Sequence, residues 1–297
     1  MYWQTTRFQI DLSRPRVMGI VNVTPDSFSD GGRHDNTSAA LAHAEQLLKQ
    51  GADILDIGGE STRPGATPVS LDDELARVMP VLREALKLGV PLSMDTYKPE
   101  VMRAALDLGA DIINDIWALR WQAPGGLSGM QVLASHASAG VCLMHMHREP
   151  QNMQAAPMSG DVVPQVLQFL KQQAQQLQGL GVSECRIVLD PGIGFGKTVA
   201  QNFALLARQG ELLQAGYPVL AGWSRKSSLG AVTGLEAQAA LGAQGQGESS
   251  EASHPRMVPS VAAALLAVER GARVVRVHDV KQTVLALKVW QAMQEQD

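Results

Sequence analysis

The chain has 297 residues, 45% hydrophobic and 18% charged, with a formal net charge of -4. That length suits one large globular domain or two small ones, and a single domain of this size buries its core without a disulfide or metal staple. The slight negative balance argues against a dedicated nucleic-acid binder but leaves room for a local basic pocket. The start, MYWQTTRFQIDLSRP, lacks the basic-then-apolar order of a secretory signal. The longest unbroken apolar run, Val261 to Val268, is far too short to cross a membrane.

Eight apolar or β-branched runs follow one another: RVMGIVNV (16–23), ADILDIGG (52–59), VPLSMD (90–95), ADIINDI (110–116), GVCLMHM (140–146), RIVLDPG (186–192), PVLAGWS (218–224) and ARVVRVHD (272–279). Helical patterns separate them. TSAALAHAEQLLKQGA reads as a helix with Thr37 or Ser38 as N-cap and Gly51 as its end. LDDELARVMPVLREALKLG closes on Gly89, VVPQVLQFLKQQAQQLQGLG on Gly179 or Gly181, and VKQTVLALKVWQAMQ supplies a last helix. Near-continuous apolar strands joined by helices indicate a parallel sheet covered on both faces. Eight such repeats predict a closed (β/α)8 TIM barrel, a single α/β domain over 1–297. The stretch EAQAALGAQGQGESSEASHP has hardly any bulky apolar residue, so about 236–256 is expected to be a flexible loop between the seventh strand and its helix. Cys142 and Cys185 lie at or in strand-like runs and read as buried free thiols in reducing, cytoplasmic surroundings. No helix carries an unambiguous exposed apolar stripe.

LDPGIGFGKT, Leu189 to Thr198, imitates a phosphate loop. That motif needs a glycine five residues before Gly196, where Pro191 stands. The dinucleotide fingerprint fails too, because Lys197 occupies the third glycine position. The asset of this stretch is instead Asp190, which ends an apolar run.

Chemistry in such barrels sits at the carboxyl ends of the strands. There the sequence places Asn22, Thr62, Arg63, Asp95, Asn114, His145, Asp190, the trio Ser224–Arg225–Lys226, and Arg276 with His278. Any one acid could be a helix cap, but the recurrence favours a site. Arg276 and His278 are two apart and face one way, inward if Val275 and Val277 face the helices. A buried arginine there needs an anion. The loops TPDSFSDGG and ESTRPGATP have the composition of mobile segments, and Phe28 suggests a lid. His145 and His147 form H-x-H without a third ligand at zinc spacing.

The stretches MGIVNVTPDSFSDGG, GADILDIGGESTRPGA, DTYKPEV, GADIINDI, CLMHM, LDPGIGFGKT, GWSRKSSLG and GARVVRVHDV together resemble the dihydropteroate synthase family, over nearly the whole chain. The resemblance implies a (β/α)8 barrel, usually a homodimer, joining 4-aminobenzoate to 6-hydroxymethyl-7,8-dihydropterin diphosphate to give 7,8-dihydropteroate and pyrophosphate. It implies that Asp95, Asp190 and Asn114 pair with the pterin, that Lys226 donates to it, and that Met144, Gly222 and Phe195 lie close by. For Met144 a plain core role is equally open. Thr62, Arg63, Arg276 and His278 are the implied diphosphate ligands, and Asn22 the implied protein ligand of Mg²⁺. Phe28, Pro64, Phe195 and Ser224 are the implied walls of the aminobenzoate pocket. Asp95, Lys226, Arg276 and His278 are the residues expected to carry catalysis. The family pattern is departed from at Tyr97, where a small hydroxyl residue is usual, at Pro259, and in the length of the 236–255 loop. Tyr97 is expected to crowd the pterin pocket. Alternatives are a methyltransferase barrel binding a methylated folate, a non-catalytic pterin-binding paralogue and, more distantly, a phosphate-sugar barrel.

Overall fold

Each of the eight runs becomes one strand of a closed parallel barrel. The computed structural model describes residues 1–24, 33–63, 65–235 and 254–296. Phe28, Pro64 and most of the expected 236–256 loop therefore lie outside the described residues. The barrel strands are β3 (Arg16–Asn22), β4 (Ile54–Gly58), β5 (Leu92–Asp95), β6 (Ile112–Asp115), β7 (Gly140–Met144), β8 (Ile187–Asp190), β9 (Val219–Ala221) and β10 (Ala272–Val277). They neighbour one another in chain order, and β10 closes on β3.

Side chains alternate between the two faces of each strand. Val17, Leu55, Ile57, Ile113 and Val275 join the core shared with the surrounding helices. Met18, Ile54, Ile112, Cys142, Val188, Leu220 and Val274 form a separate cluster inside the barrel. Moving along the inward file from that cluster toward the carboxyl ends, the character changes. Asp56 follows Ile54, Asn114 follows Ile112, Asp190 follows Val188 and Arg276 follows Val274, each two residues on. The expected parity of Arg276 against Val275 and Val277 holds, although the strand ends at Val277 and His278 lies just beyond it.

The floor of the barrel is closed by a hairpin with no counterpart in the sequence reading. Strands β1 (Tyr2–Gln4) and β2 (Gln9–Asp11) pair antiparallel, and Trp3, Ile10 and Leu12 pack onto the inner cluster. The Trp3 indole N–H donates to the Arg186 carbonyl at 2.9 Å.

Two helices and one cysteine depart from expectation. The first runs Arg33–Lys49, so neither Thr37 nor Ser38 is its N-cap; its polar first turn precedes Ala40, Ala44 and Leu47, the buried positions that made the pattern visible. Cys142 is buried as expected, whereas Cys185 is only partly so; it sits in a 3-10 turn, Glu184–Arg186, ahead of β8. The last helix, Val280–Gln294, does expose an apolar stripe, Leu285, Val289 and Met293, beside exposed Val258 and Leu266 of the helix Met257–Glu269. Even residues at every fourth position escaped notice because aliphatic side chains are common on both faces of this helix. Gly89 ends the second helical segment at φ 70°, and Pro259 takes the third position of its helix, where no intrahelical N–H bond is needed. No described helix is long and apolar enough to cross a membrane.

Candidate active site at the barrel mouth

Barrel register sets the polar residues side by side. Asn22 is level with Gly58, Gly58 with Asp95, and Asp95 with Asn114; Met144 is level with Asp190. Arg276 reaches across from β10, its Nε to Asp56 Oδ2 at 2.6 Å and its Nη2 to Asp95 Oδ2 at 2.5 Å. The Asn114 amide donates to the same Asp56 oxygen at 3.1 Å. Asp56 is fully buried, and its other oxygen has no partner among the described residues. Arg276 thus has two carboxylate counterions inside the protein, where the sequence reading looked for an external anion. Asp56 was missed because it lies inside the apolar run ILDIGG. Its inward parity with Ile54 was the signal available.

Asp190 Oδ1 accepts the Gly192 N–H at 2.7 Å. Gly222 leaves the approach to Asp190 open, since a Cβ there would stand 3.7 Å from Oδ2. The trio Ser224–Arg225–Lys226 divides. Ser224 Oγ accepts the backbone N–H of His278 at 3.1 Å and lies 2.9 Å from His278 Nδ1. The hydroxyl can donate to Nδ1 or accept from it, according to the tautomer of the ring. Arg225, in left-handed backbone at φ 59°, pairs with Asp279 at 2.8 Å instead of joining an anion cluster with its neighbours. Lys226 holds its ammonium 4.2 Å from the centre of the Phe195 ring. Arg63 is exposed and Thr62 half-buried on the loop after β4. The Arg63 charge nonetheless helps to lower both Lys226 and His278, which places it near the same mouth.

Electrostatics mark these groups out. Burial pushes Asp95 up to about 7, with Asp56, Glu74 and Asp115 adding to it and Arg276 opposing. Burial lowers Lys226 to about 8, against the pull of Asp190 and Asp95. Burial, then Arg225, Arg276 and Arg63, bring His278 down to about 2. Perturbations of this size concentrate at functional sites.

The glycine-rich turn answers the question its sequence raised. Gly192 has φ 68°, and a Cβ there would overlap the His145 carbonyl oxygen. Lys197, 2% exposed, donates to the carbonyls of Gly192 at 2.8 Å, Phe195 at 3.2 Å and His145 at 3.4 Å. The lysine of the apparent phosphate motif therefore knits its own loop to the exit of β7. That loop carries Phe195, which clusters with Met144, Met146, Met153 and Ile116. Met144 is accordingly both core and rim. His145 turns its ring edge to Phe169, with centroids 4.9 Å apart, and no group of three or more His, Cys, Asp or Glu able to hold a metal occurs among the described residues. Tyr97 does not swing freely over the mouth: its hydroxyl donates to Glu60 Oε1 at 3.0 Å and its ring meets Trp121 edge-on, 5.3 Å between centroids.

The family model for pterin binding enzymes matches residues 18–278. The chain belongs to this family. Within it, the chain is 52% identical to the dihydropteroate synthase of Neisseria meningitidis serogroup C over 98% of its own length and 97% of that protein. Among solved structures, the Burkholderia cenocepacia dihydropteroate synthase complexed with 7,8-dihydropteroate is similar at TM-score 0.83 and 49% identity, covering 99% of this chain and 96% of that one. The Xanthomonas albilineans dihydropteroate synthase with 4-aminobenzoic acid superposes at TM-score 0.85 and 47% identity, covering 99% of each. As a member of the dihydropteroate synthase group of pterin binding enzymes over nearly the whole of its sequence, the chain is an enzyme, a transferase.

Proposed function

We propose that the chain joins 6-hydroxymethyl-7,8-dihydropterin diphosphate to 4-aminobenzoate, giving 7,8-dihydropteroate and pyrophosphate. The observation that carries this reading is the convergence, in one mouth, of Asp56, Asp95, Asn114 and Asp190 with the cations Lys226 and Arg276. A pterin presents an amino group and ring N–H donors beside a carbonyl and ring nitrogens. Asp95 and Asp190 accept from the donors, Asn114 does both, and Lys226 donates to a ring acceptor. Gly222, Met144 and Phe195 leave and line the flat space beside Asp190. The product and the aminobenzoate named with the two solved relatives support the same assignment.

The bond that breaks joins the pterin methylene carbon to a diphosphate oxygen, and its electron pair leaves with the diphosphate. Arg276 uses Nε and Nη2 on Asp56 and Asp95 and keeps further N–H donors for the leaving group. Arg63 and Thr62 close on it from the loop after β4. His278, a neutral ring, meets the anion through its ring N–H as a hydrogen-bond donor. Asp95 and Asp190 flank the ring and stabilise the positive charge that develops on it. The arylamine nitrogen then bonds to the methylene carbon and sheds a proton, a step that needs no strong general base. Ser224 and Phe195 wall its pocket.

Asn22 fits Mg²⁺ only as a single protein ligand: one half-buried amide oxygen at the end of β3, with the remaining oxygens coming from diphosphate and water. When bound, the ion would neutralise charge on the departing diphosphate. A homodimer through the exposed face of the last two helices accords with Leu285, Val289 and Met293 lying one turn apart. Light scattering of the purified chain would give twice the chain mass, and Val289→Asp would lower it.

The deciding experiment follows pyrophosphate release by the purified chain with the dihydropterin diphosphate and Mg²⁺, with and without 4-aminobenzoate. Release should match dihydropteroate formed when both substrates are present. No pyrophosphate under those conditions overturns the reading.

A further inference from the structure

Beside Asp95 lies a buried ionic cluster that the chemistry above leaves unused. Lys98 ion-pairs with Glu60 and, at 2.5 Å, with Glu74; the three side chains are 7%, 8% and 1% exposed. The other Glu60 oxygen accepts the Tyr97 hydroxyl at 3.0 Å. The Lys98 ammonium also stands 4.6 Å from the centre of the Tyr97 ring. From the helix that carries Glu74, Arg77 donates to the Gly59 carbonyl at 2.8 Å. Three side chains from two elements, Arg77 on that helix and Tyr97 and Lys98 after β5, thus grip the same two residues, Gly59 and Glu60.

Two carboxylates here face one ammonium, and Glu74 Oε1 has no partner among the described residues. Burying such a set costs several kcal/mol per ion, and a well-packed apolar trio of similar volume is often at least as stable. Stability alone is therefore a poor account of it. Thr62 and Arg63 come two and three residues after Glu60. Between Ser61 and Val69, the backbone hydrogen bond formed among the described residues is Ala66 N–H to Arg63 O, inside the loop itself. The grip at Glu60 is what fixes where this loop leaves the barrel.

We propose that Lys98 and Tyr97 are positioning residues that hold Glu60 and so aim Thr62 and Arg63 at the anion of the substrate. The inference rests on the function proposed above for what Thr62 and Arg63 bind, but the clamp itself is a statement about the chain alone. Tyr97, where this chain departs from a small hydroxyl residue, supplies the contact to the second Glu60 oxygen and ties the exits of β4, β5 and, through Trp121, β6 together.

The test uses the full chain as Lys98→Met, Lys98→Arg and Tyr97→Phe. Hydrogen exchange of the peptide spanning 59–67, binding of the diphosphate-free probe 6-hydroxymethyl-7,8-dihydropterin, and KM and kcat for the dihydropterin diphosphate are measured for each. For Lys98→Met the exchange should speed up and the KM for the diphosphate ester rise by about tenfold, the effect of losing a charge-assisted hydrogen bond. Affinity for the diphosphate-free probe should stay within about twofold, because Asn114 and Asp190 keep their places. Tyr97→Phe should move the same quantities about threefold, and Lys98→Arg should restore much of the loss. Equal weakening for probe and ester, or unchanged exchange at 59–67 in a folded variant, overturns the proposal. Should Lys98→Met not fold, Tyr97→Phe and Lys98→Arg decide by the same readouts. Absence of activity in the unsubstituted chain would instead count against the proposed reaction, and the exchange data would still judge the clamp.

Discussion

The two ends of the barrel use the same residue types to opposite ends. At the floor, charges are matched: Arg7 pairs with Asp111 at 2.5 Å, Arg14 and Arg16 with Asp53 at 2.7 and 3.1 Å, and the buried Arg186 donates to the carbonyls of Ala139 at 2.7 Å and Leu133 at 3.0 Å. At the mouth, Asp56 and Glu74 each keep one oxygen without a partner among the described residues, and Asp95, Lys226 and His278 are all driven from their ordinary values. A satisfied charge holds a fold in place. An unsatisfied one, held rigid in a low-dielectric cleft, is prepared for a ligand.

That contrast can be broken first at the floor. Trp3 is the largest side chain of the plug and fully buried, so Trp3→Ala should cost about 3–5 kcal/mol of stability. The turnover of the fraction that remains folded should be close to that of the parent. Urea titration and active-site-normalised rates separate the two quantities, and a large fall in turnover per folded molecule would mean that the floor is coupled to the mouth. The reverse pattern is expected from Asp95→Asn, with kcat/KM falling by about 10²–10³ through lost charge stabilisation and little change in the urea midpoint. Asp56→Asn should behave similarly, because it loosens both Arg276 and Asn114.

A smaller effect sharpens the mouth alone. Asp95 must lose its proton near pH 7 and Lys226 must keep its own below about 8. The kcat/KM profile should therefore rise through about pH 7, pass a narrow maximum and fall above about pH 8. Lys226→Arg, which cannot lose its charge in this range, should remove the alkaline fall while the acid limb stays.

Legibility in the sequence followed the same division. The barrel strands were plain because each is a nearly unbroken apolar run, as strands covered on both faces must be. Asn22, Asp95, Asn114, Asp190 and Arg276 were visible because each closes such a run. The floor hairpin was not, since strands of three residues, YWQ and QID, are too short to display alternation. Asp56 was hidden by lying one turn of the pleat deeper than the residues around it. The Lys98 cluster left no local pattern at all, its partners standing 24 and 38 residues away. At Lys197 spacing was enough to set aside the phosphate reading of Gly-Lys-Thr, but only the distances to three carbonyls show that the lysine holds its own loop.

The smallest expected effect comes from His145, which the polar strand-end pattern brought forward and which the structure turns away from the mouth toward Phe169. Burial, reinforced by Lys197 and Arg120, lowers its imidazole from 6.5 to about 2. The unfolded chain takes up a proton at this residue below about pH 6.5, while the folded chain does not until far lower. His145 therefore contributes its full stability above pH 6.5 and loses it as pH falls, by about 1.4 kcal/mol per pH unit. His278 acts in the same sense. Asp95 and Asp115, both raised to about 7 by burial, act in the opposite one, since they keep protons that the unfolded chain has shed between about pH 4 and 7. The net slope is thus a difference, and only a substitution resolves one member of it. Stability of His145→Gln, followed by urea titration between pH 4.5 and 6.5, should decline less steeply on acidification than that of the parent, by close to one proton's worth. Parallel curves would mean that the His145 ring already titrates in the folded chain, and that its place against Phe169 is not the closed, dry environment its burial describes.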